Sequence, residues 1–354
     1  MMSGHAGSVD SLIDATVTTY RGFFAARPGL RELWFDWRAS DQVVDIHREY
    51  RRTLAEGFRT RIEGTPATAD DTLAYAALFE MNGRLWEMAF ELDPAGHPRV
   101  LAEIREITQR FFRRLLRISP PPSGIRARAG LGPDIGRAGA HGLLPPDHRS
   151  TCDWEPRLPP QERGRKRRAQ ILAAASGIID SHGPHGTDVT IRAIADAAGT
   201  SPASIYHYFE DLDSLVAAVA ADYMDDLIAI SAEVDAIADG TSFDPFYEHR
   251  IFLYRRFFER RPGLRELWFD RRASAKVQMM HAHYRHLLAR HNREIASRYL
   301  QDPGELFDHA MHVEGLSSLW ELAFRLHRQG HPAVINEIRE LGRDLIRRLG
   351  ETIS

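Results

Sequence analysis

A single cysteine, Cys152, stands in the 354-residue chain. It cannot close an internal disulfide, which excludes the stapled secreted scaffolds and fits a reducing, cytoplasmic setting. Lysine is almost missing. Lys166 and Lys276 are the only two, and arginine carries nearly all the remaining positive charge. Formal net charge is -3, so a surface for a polyanion must be local rather than global. No apolar run approaches the ~20 residues that a spanning helix needs, and the N-terminus lacks a basic-then-apolar leader. Chemistry-bearing motifs are also absent: there is no nucleophile elbow, phosphate loop or zinc-ligand spacing. No enzyme activity, cofactor or metal is therefore implied. No stretch alternates apolar and polar residues as a strand would, which leaves an all-α fold.

What is present is a duplication. Tyr20–Leu115 and Tyr254–Leu349 align without a gap at a constant offset of 234 residues. RPGLRELWFD occurs at 27–36 and again at 261–270. His47, Tyr50, Glu80 and Trp86 recur as His281, Tyr284, Glu314 and Trp320. Gly96-His97-Pro98 recurs as Gly330-His331-Pro332. A period this long is a domain rather than a solenoid unit. In each copy apolar residues fall at three- and four-residue steps: Val100, Ile104, Ile107, Phe111 and Leu115 in one, Val334, Ile338, Leu341, Leu345 and Leu349 in the other. These are amphipathic helices with arginine on the far face.

Four segments follow. Copy one spans 1–118. A Pro-, Gly- and Arg-rich stretch at 119–162 reads as a linker whose coil span is roughly 35 Å. A compact unit at 163–225 occurs once. Copy two spans 226–354. The single-copy unit opens with a basic arm, Arg163 to Arg168, which runs into an apolar helix. Thr190 caps a second short helix, and Gly199 ends it. Ser201 then caps a third, with Pro202 at its first position. Two short helices joined by a glycine turn, the second with a polar outer face, form a helix-turn-helix whose second helix suits a DNA major groove.

The run from Ile171 through Gly183 and Val189 to Phe209 resembles the DNA-binding domain of TetR-family transcriptional regulators, over about 60 residues, and RPGLRELWF is similar to a segment of some TetR-type regulatory domains. The resemblance implies a helix-turn-helix head followed by a helical domain for ligand binding and dimerisation. It implies a repressor released from a double-stranded DNA operator by a small-molecule effector. Phosphate contacts are expected from Thr190, Tyr206 and Tyr208, with Ser201 at the helix start. Base-edge contacts are expected from Ala203, Ser204 and His207. Where the family usually has a lysine this chain has Leu212, flanked by Glu210, Asp211 and Asp213. That loss shifts weight onto Arg165, Lys166, Arg167 and Arg168, since each phosphate contact adds about one to the salt slope.

The effector pocket is expected among the earlier helices of each copy, lined in copy two by Tyr254, Phe257, Phe258, Trp268, Phe269, Met280, His281, Tyr284 and Glu314. Their aromatic content suits an apolar or aromatic small molecule, although the same residues read equally well as core. Copy one has Glu49 and Arg52 at the positions of His283 and His286, so no metal pair is expected there. In the family the last two helices of the regulatory domain make a four-helix bundle with a partner. Here residues 71–91 and 98–116 are expected to pack on 306–325 and 332–349 of the same chain, giving a pseudo-dimer with one head. Because copy one begins near Val9, an upstream head or the cooperation of two chains is expected. The alternative is a ligand- or partner-sequestering pseudo-dimer with a vestigial head that does not bind DNA.

Overall fold

The computed structural model describes residues 3–35, 46, 49–50, 52–53, 56–57, 69–115, 159–238, 240–270 and 273–351. His47, Cys152 and most of the expected linker lie outside the described residues. The regular elements described are all α-helical. None of them is long and apolar enough to cross a membrane. The chain divides into two compact units, one made of Met1–Pro146, Leu300–Ala323 and Pro332–Ser354, the other of Asp147–Tyr299 and Phe324–His331.

The first unit holds α1 (Ser3–Ala25), α2 (Pro28–Phe35), α3 (Ala69–Leu92) and α4 (Pro98–Leu115). It also holds most of α12 (Leu306–Leu326) and all of α13 (Pro332–Glu351). The repeated Gly-His-Pro has a plain local cause. Gly96 (φ 85°) and Gly330 (φ 77°) take the left-handed turn, and Pro98 and Pro332 open the next helix. A proline costs nothing at that position, where the N–H has no helical partner. The stripes of α4 and α13 are buried: Val100, Ile104 and Phe111 on one, Val334, Ile338 and Leu345 on the other. α4 packs on α1 and α3, and α13 on α3.

Ion pairs join the two copies inside this unit with a reciprocal pattern. Arg348 donates to Glu103 (2.7 Å), and Arg114 donates to Glu337. At the 234-residue offset these are one pair written twice, the signature of an isologous contact. Burial works against the charge on Arg348, but Glu103 overcomes it and holds the guanidinium protonated. Two contacts break the pattern. Arg84 donates to Glu314 at 2.8 Å, yet Arg84's counterpart is Ser318. Met81 lies on Gly315, its own counterpart, so closely that a Cβ there would sit 2.6 Å from the methionine methyl.

The second unit holds α5 (Glu162–His182), α6 (Ile191–Ala197), α7 (Pro202–Tyr208), α8 (Leu212–Ala238), α9 (Phe243–Arg260), α10 (Pro262–Phe269) and α11 (Ala275–Tyr299). The expected boundary at 225/226 falls inside α8, which runs for 27 residues because neither Gly nor Pro interrupts it. α8 is shared between the head and copy two. Tyr223 stacks on Phe257 (4.5 Å), Tyr284 donates to Asp225, and Ser231 shares a hydrogen bond with the Tyr254 hydroxyl (2.8 Å). The expected domain at 226–354 is thus divided: α9, α10 and α11 lie with the head, and most of α12 and α13 with copy one.

Candidate nucleic-acid interface and ligand cavity

The helix-turn-helix is fixed by its caps. Thr190 Oγ1 accepts from the Ala193 N–H (3.2 Å) and opens α6. Gly199 (φ 60°) ends it, and the Thr200 N–H returns to the Ala195 carbonyl at 2.9 Å. Ser201 Oγ accepts from the Ser204 N–H (3.2 Å) and opens α7. Both hydroxyls accept in their caps, so each keeps its proton to donate outward. Ile205 is fully buried and Phe209 nearly so; they anchor α7 on the core. Ala203, Tyr206 and His207 are exposed, and Ser204 and Tyr208 half-buried. The His207 and Tyr208 rings meet edge to face at 5.1 Å. The expected base-reading and phosphate-binding residues of α7 therefore share one outward surface.

The basic segment departs from expectation in form. It is not an arm: α5 begins at Glu162 and carries Arg165 to Arg168 in its first two turns. Glu162 favours that start, because an acidic residue in the first turn complements the helix dipole. Arg165 and Lys166 are exposed, and Lys166 pairs with Glu162 at 2.8 Å. Arg167 is half-buried. Arg168 turns inward over the Phe209 ring (5.4 Å), and burial lowers its pKa. Arg168 thus serves the head's packing, and Arg165 and Lys166 face solvent.

The acidic run after α7 is also not the open repulsion its sequence suggests. Asp211 caps α8, accepting from the Ser214 N–H (2.7 Å) and hydroxyl (2.6 Å). Lys276 on α11 reaches Asp211 (3.0 Å), Glu210 (3.2 Å) and the Ser214 hydroxyl (2.7 Å). The Ser214 hydrogen bonds, reinforced by Lys276, hold the Asp211 carboxyl down at about 2. One of the chain's two lysines is spent on this clamp.

A cavity of about 120 Å³ lies in copy one, bounded by α1, α2, α3, α4 and Tyr50. Tyr20, Phe24, Trp34, Phe35 and Tyr50 line it. At the 234-residue offset these are Tyr254, Phe258, Trp268, Phe269 and Tyr284, five of the nine residues expected to line a pocket in copy two. Burial pushes the Tyr20 hydroxyl above its ordinary pKa, and a hydrogen bond with Tyr50 adds to this. In copy two the same positions are knit together as packing. Besides the α8 contacts of Tyr254, Phe257 and Tyr284, Phe258 meets Phe269 (5.3 Å), and Trp268 meets His281 edge to face (4.8 Å). Met280 is buried. Glu314 lies in the other unit, on Arg84. Sequence reasoning passed over Asn82, Thr108 and Thr16 in the cavity wall. The available signal was divergence: copy two has Leu316, Gly342 and Arg250 at those positions.

A capped two-helix reader joined through a long helix to an all-helical body defines the helix-turn-helix regulator class. Residues 171–219 match the family model for bacterial regulatory proteins, tetR family. Residues 7–114 match a tetracyclin repressor-like C-terminal domain. The head and copy one thus each match a domain of the TetR family of transcriptional regulators. It is 36% identical over 70 residues to the HTH-type transcriptional repressor KstR2 of Rhodococcus jostii (strain RHA1), a match covering 20% of this chain and 33% of that protein. The chain thus spans about a third of the length of that curated relative. Among solved structures, a TetR-family transcriptional regulator from Streptomyces coelicolor aligns with 22% identity and a TM-score of 0.39, over 52% of this chain and 99% of the other. The fatty acid degradation regulator FadR from Bacillus halodurans aligns with 16% identity and a TM-score of 0.37, over 51% and 94%.

Proposed function

We propose that this chain is a DNA-binding transcriptional repressor, released from its operator by a small molecule held in the copy-one cavity. The observation that carries the reading is the surface of α7. Ala203, Tyr206 and His207 stand outward beside Ser204 and Tyr208, between two capped helix starts, with Arg165 and Lys166 exposed on α5. Arg165, Lys166, Thr190, Ser201, Tyr206 and Tyr208 would hold phosphates. Ala203, Ser204 and His207 would read base edges. The two copies would act as an intramolecular pseudo-dimer, a reading supported by the reciprocal pairs Glu103–Arg348 and Glu337–Arg114. Two recognition helices about 34 Å apart are needed for a two-fold operator, so a second head, brought by a second chain or by a further segment, would complete the site; light scattering with operator DNA would detect the two-chain case. The competing reading, a ligand- or partner-sequestering protein with a vestigial head, draws on Leu212 standing where the family has a phosphate-binding lysine.

The full chain should bind DNA with a steep salt dependence. Arg165→Ala with Lys166→Ala should weaken binding to all sequences and lower the salt slope by about two. Arg168→Ala should instead act through the stability of the head. His207→Ala should mainly change sequence preference, by ~1–3 kcal/mol. Absence of DNA binding at low salt by folded protein would sink the repressor reading and leave the sequestering one.

A further inference from the structure

The copy-one cavity contains one polar atom that the fold leaves unused. Thr108 Oγ1 donates its proton to the Ile104 carbonyl (2.6 Å), so it can only accept from elsewhere. It accepts from Asn82 Nδ2 at 2.9 Å, which fixes the orientation of the amide. Asn82 Oδ1 is left buried, without a hydrogen-bond partner, in the cavity wall. Asn82 is 8% exposed, so water does not replace that partner at the surface. Thr16 likewise donates away from the cavity, to the Leu12 carbonyl at 2.7 Å. The Thr16 and Thr108 hydroxyls thus offer the cavity no donor, and the donors in its wall are the Tyr20 and Tyr50 hydroxyls, which share a hydrogen bond, and the Trp34 and Trp86 indole N–H groups. No described residue lining the cavity carries a charge. A charged guest would lose its hydration there with nothing to balance it.

We infer that this cavity binds a neutral, mostly apolar small molecule of one or two rings that offers a single hydrogen-bond donor to Asn82 Oδ1. The inference rests on the ligand-regulated reading above and specifies the ligand's chemistry and the copy that receives it. Buried acceptors without partners are rare and costly in native folds, so a donor supplied from outside is the arrangement that satisfies this one. An apolar cavity of this order of size takes a small aromatic ring system. Copy two has Leu316 for Asn82 and Gly342 for Thr108, so it lacks this acceptor arrangement.

The test uses two probes of nearly equal shape. Indole has a ring N–H, and benzofuran has an oxygen in its place. Calorimetric titration of the full chain should show indole binding about tenfold or more tighter than benzofuran. Asn82→Leu, the residue that copy two has at this position, should bring the two probes to parity while benzofuran still binds. Equal affinities in the unaltered protein, a preference that persists in Asn82→Leu, or no binding of either probe would overturn the inference. The unaltered protein's indole-to-benzofuran ratio decides the matter even if the variant does not fold. The titration contains no DNA, so its failure is separable from a failure of the DNA-binding reading, which the salt-dependent assay reports.

Discussion

The segment RPGLRELWFD occurs twice and forms the same eight-residue helix twice, α2 and α10, in two different surroundings. In copy two it is docked on α5. Asp180 accepts from Arg261 (2.8 Å) and from the Gly263 N–H (3.0 Å), and Arg261 also reaches Ser176 (2.7 Å). Gly263 is pressed so hard on α5 that a Cβ would lie 2.0 Å from the Ile179 carbonyl. Leu264 and Leu267 are each 2% exposed. In copy one Gly29 has open space, Leu30 is 40% and Leu33 54% exposed, and Arg27 folds back over Phe23. Helix formation is encoded locally in Pro at the first turn and the apolar spacing. The burial of that helix is decided by its neighbours: α10 is seated on α5, and among the described residues α2 has no such helix against it.

Three substitution pairs and one single substitution would break or sharpen the contrast between the copies, read by denaturant unfolding unless stated. Gly263→Ala should cost about 4 kcal/mol or more, because backbone meets backbone and nothing flexible can yield. Gly29→Ala should be neutral or stabilise by up to about 1 kcal/mol, since alanine is the better helix former. Equal effects would mean that α10 is not seated on α5 in solution. Leu267→Ala should cost about 2–4 kcal/mol, and Leu33→Ala within about 0.5 kcal/mol.

The single substitution concerns acid. Burial, with Arg250 nearby, lowers the pKa of His291 to about 4; copy one has Gly57 there. Between that value and the ordinary 6.5 the unfolded chain binds more protons than the folded one. The neutral imidazole's contribution is then intact above pH 6.5 and is lost as pH falls toward about 4. His291→Gln should flatten this loss by about 1–3 kcal/mol, at about 1.4 kcal/mol per pKa unit. A pH profile identical to that of the unaltered protein would show that His291 is not buried neutral. The smallest effect is Arg261→Ala, at about 1 kcal/mol, with Arg27→Ala close to zero, because the Arg261–Asp180 pair is half-exposed and partly screened.

Much of this was legible from the residues. The caps at Thr190 and Ser201, the glycine turn and the outward face of α7 follow from short-range rules, which is why the sequence located them. The stripes of α4 and α13 were legible for the same reason. What was not legible involved partners distant in sequence. Lys276 clamping Asp211, Arg168 turning onto Phe209, and the hydrogen bonds from Tyr254 and Tyr284 to α8 depend on tertiary geometry that no local pattern carries. A pocket was expected among the earlier helices of each copy, with residues named in copy two; the described cavity lies at the copy-one counterparts of five of them. The polar differences that distinguish it, Asn82 and Thr108, were visible only by asking where the copies disagree.

Met81 resting on Gly315 carries a consequence for the ancestry of the chain. Under a strict two-fold, the residue on the axis meets itself, so two methionines would crowd and two glycines would leave a hole. Methionine against glycine fits, and a single repeated gene product cannot supply it. The position could differentiate only where the two copies are encoded separately, as they are along this chain, and Arg84 opposite Glu314, with Ser318 as its counterpart, carries the same mark. On the pseudo-dimer reading proposed above, each half would be the specific mate of the other. Fusion would then work as a ratchet: separated halves pairing like with like would regain the Glu103–Arg348 contact but not the seam at the axis.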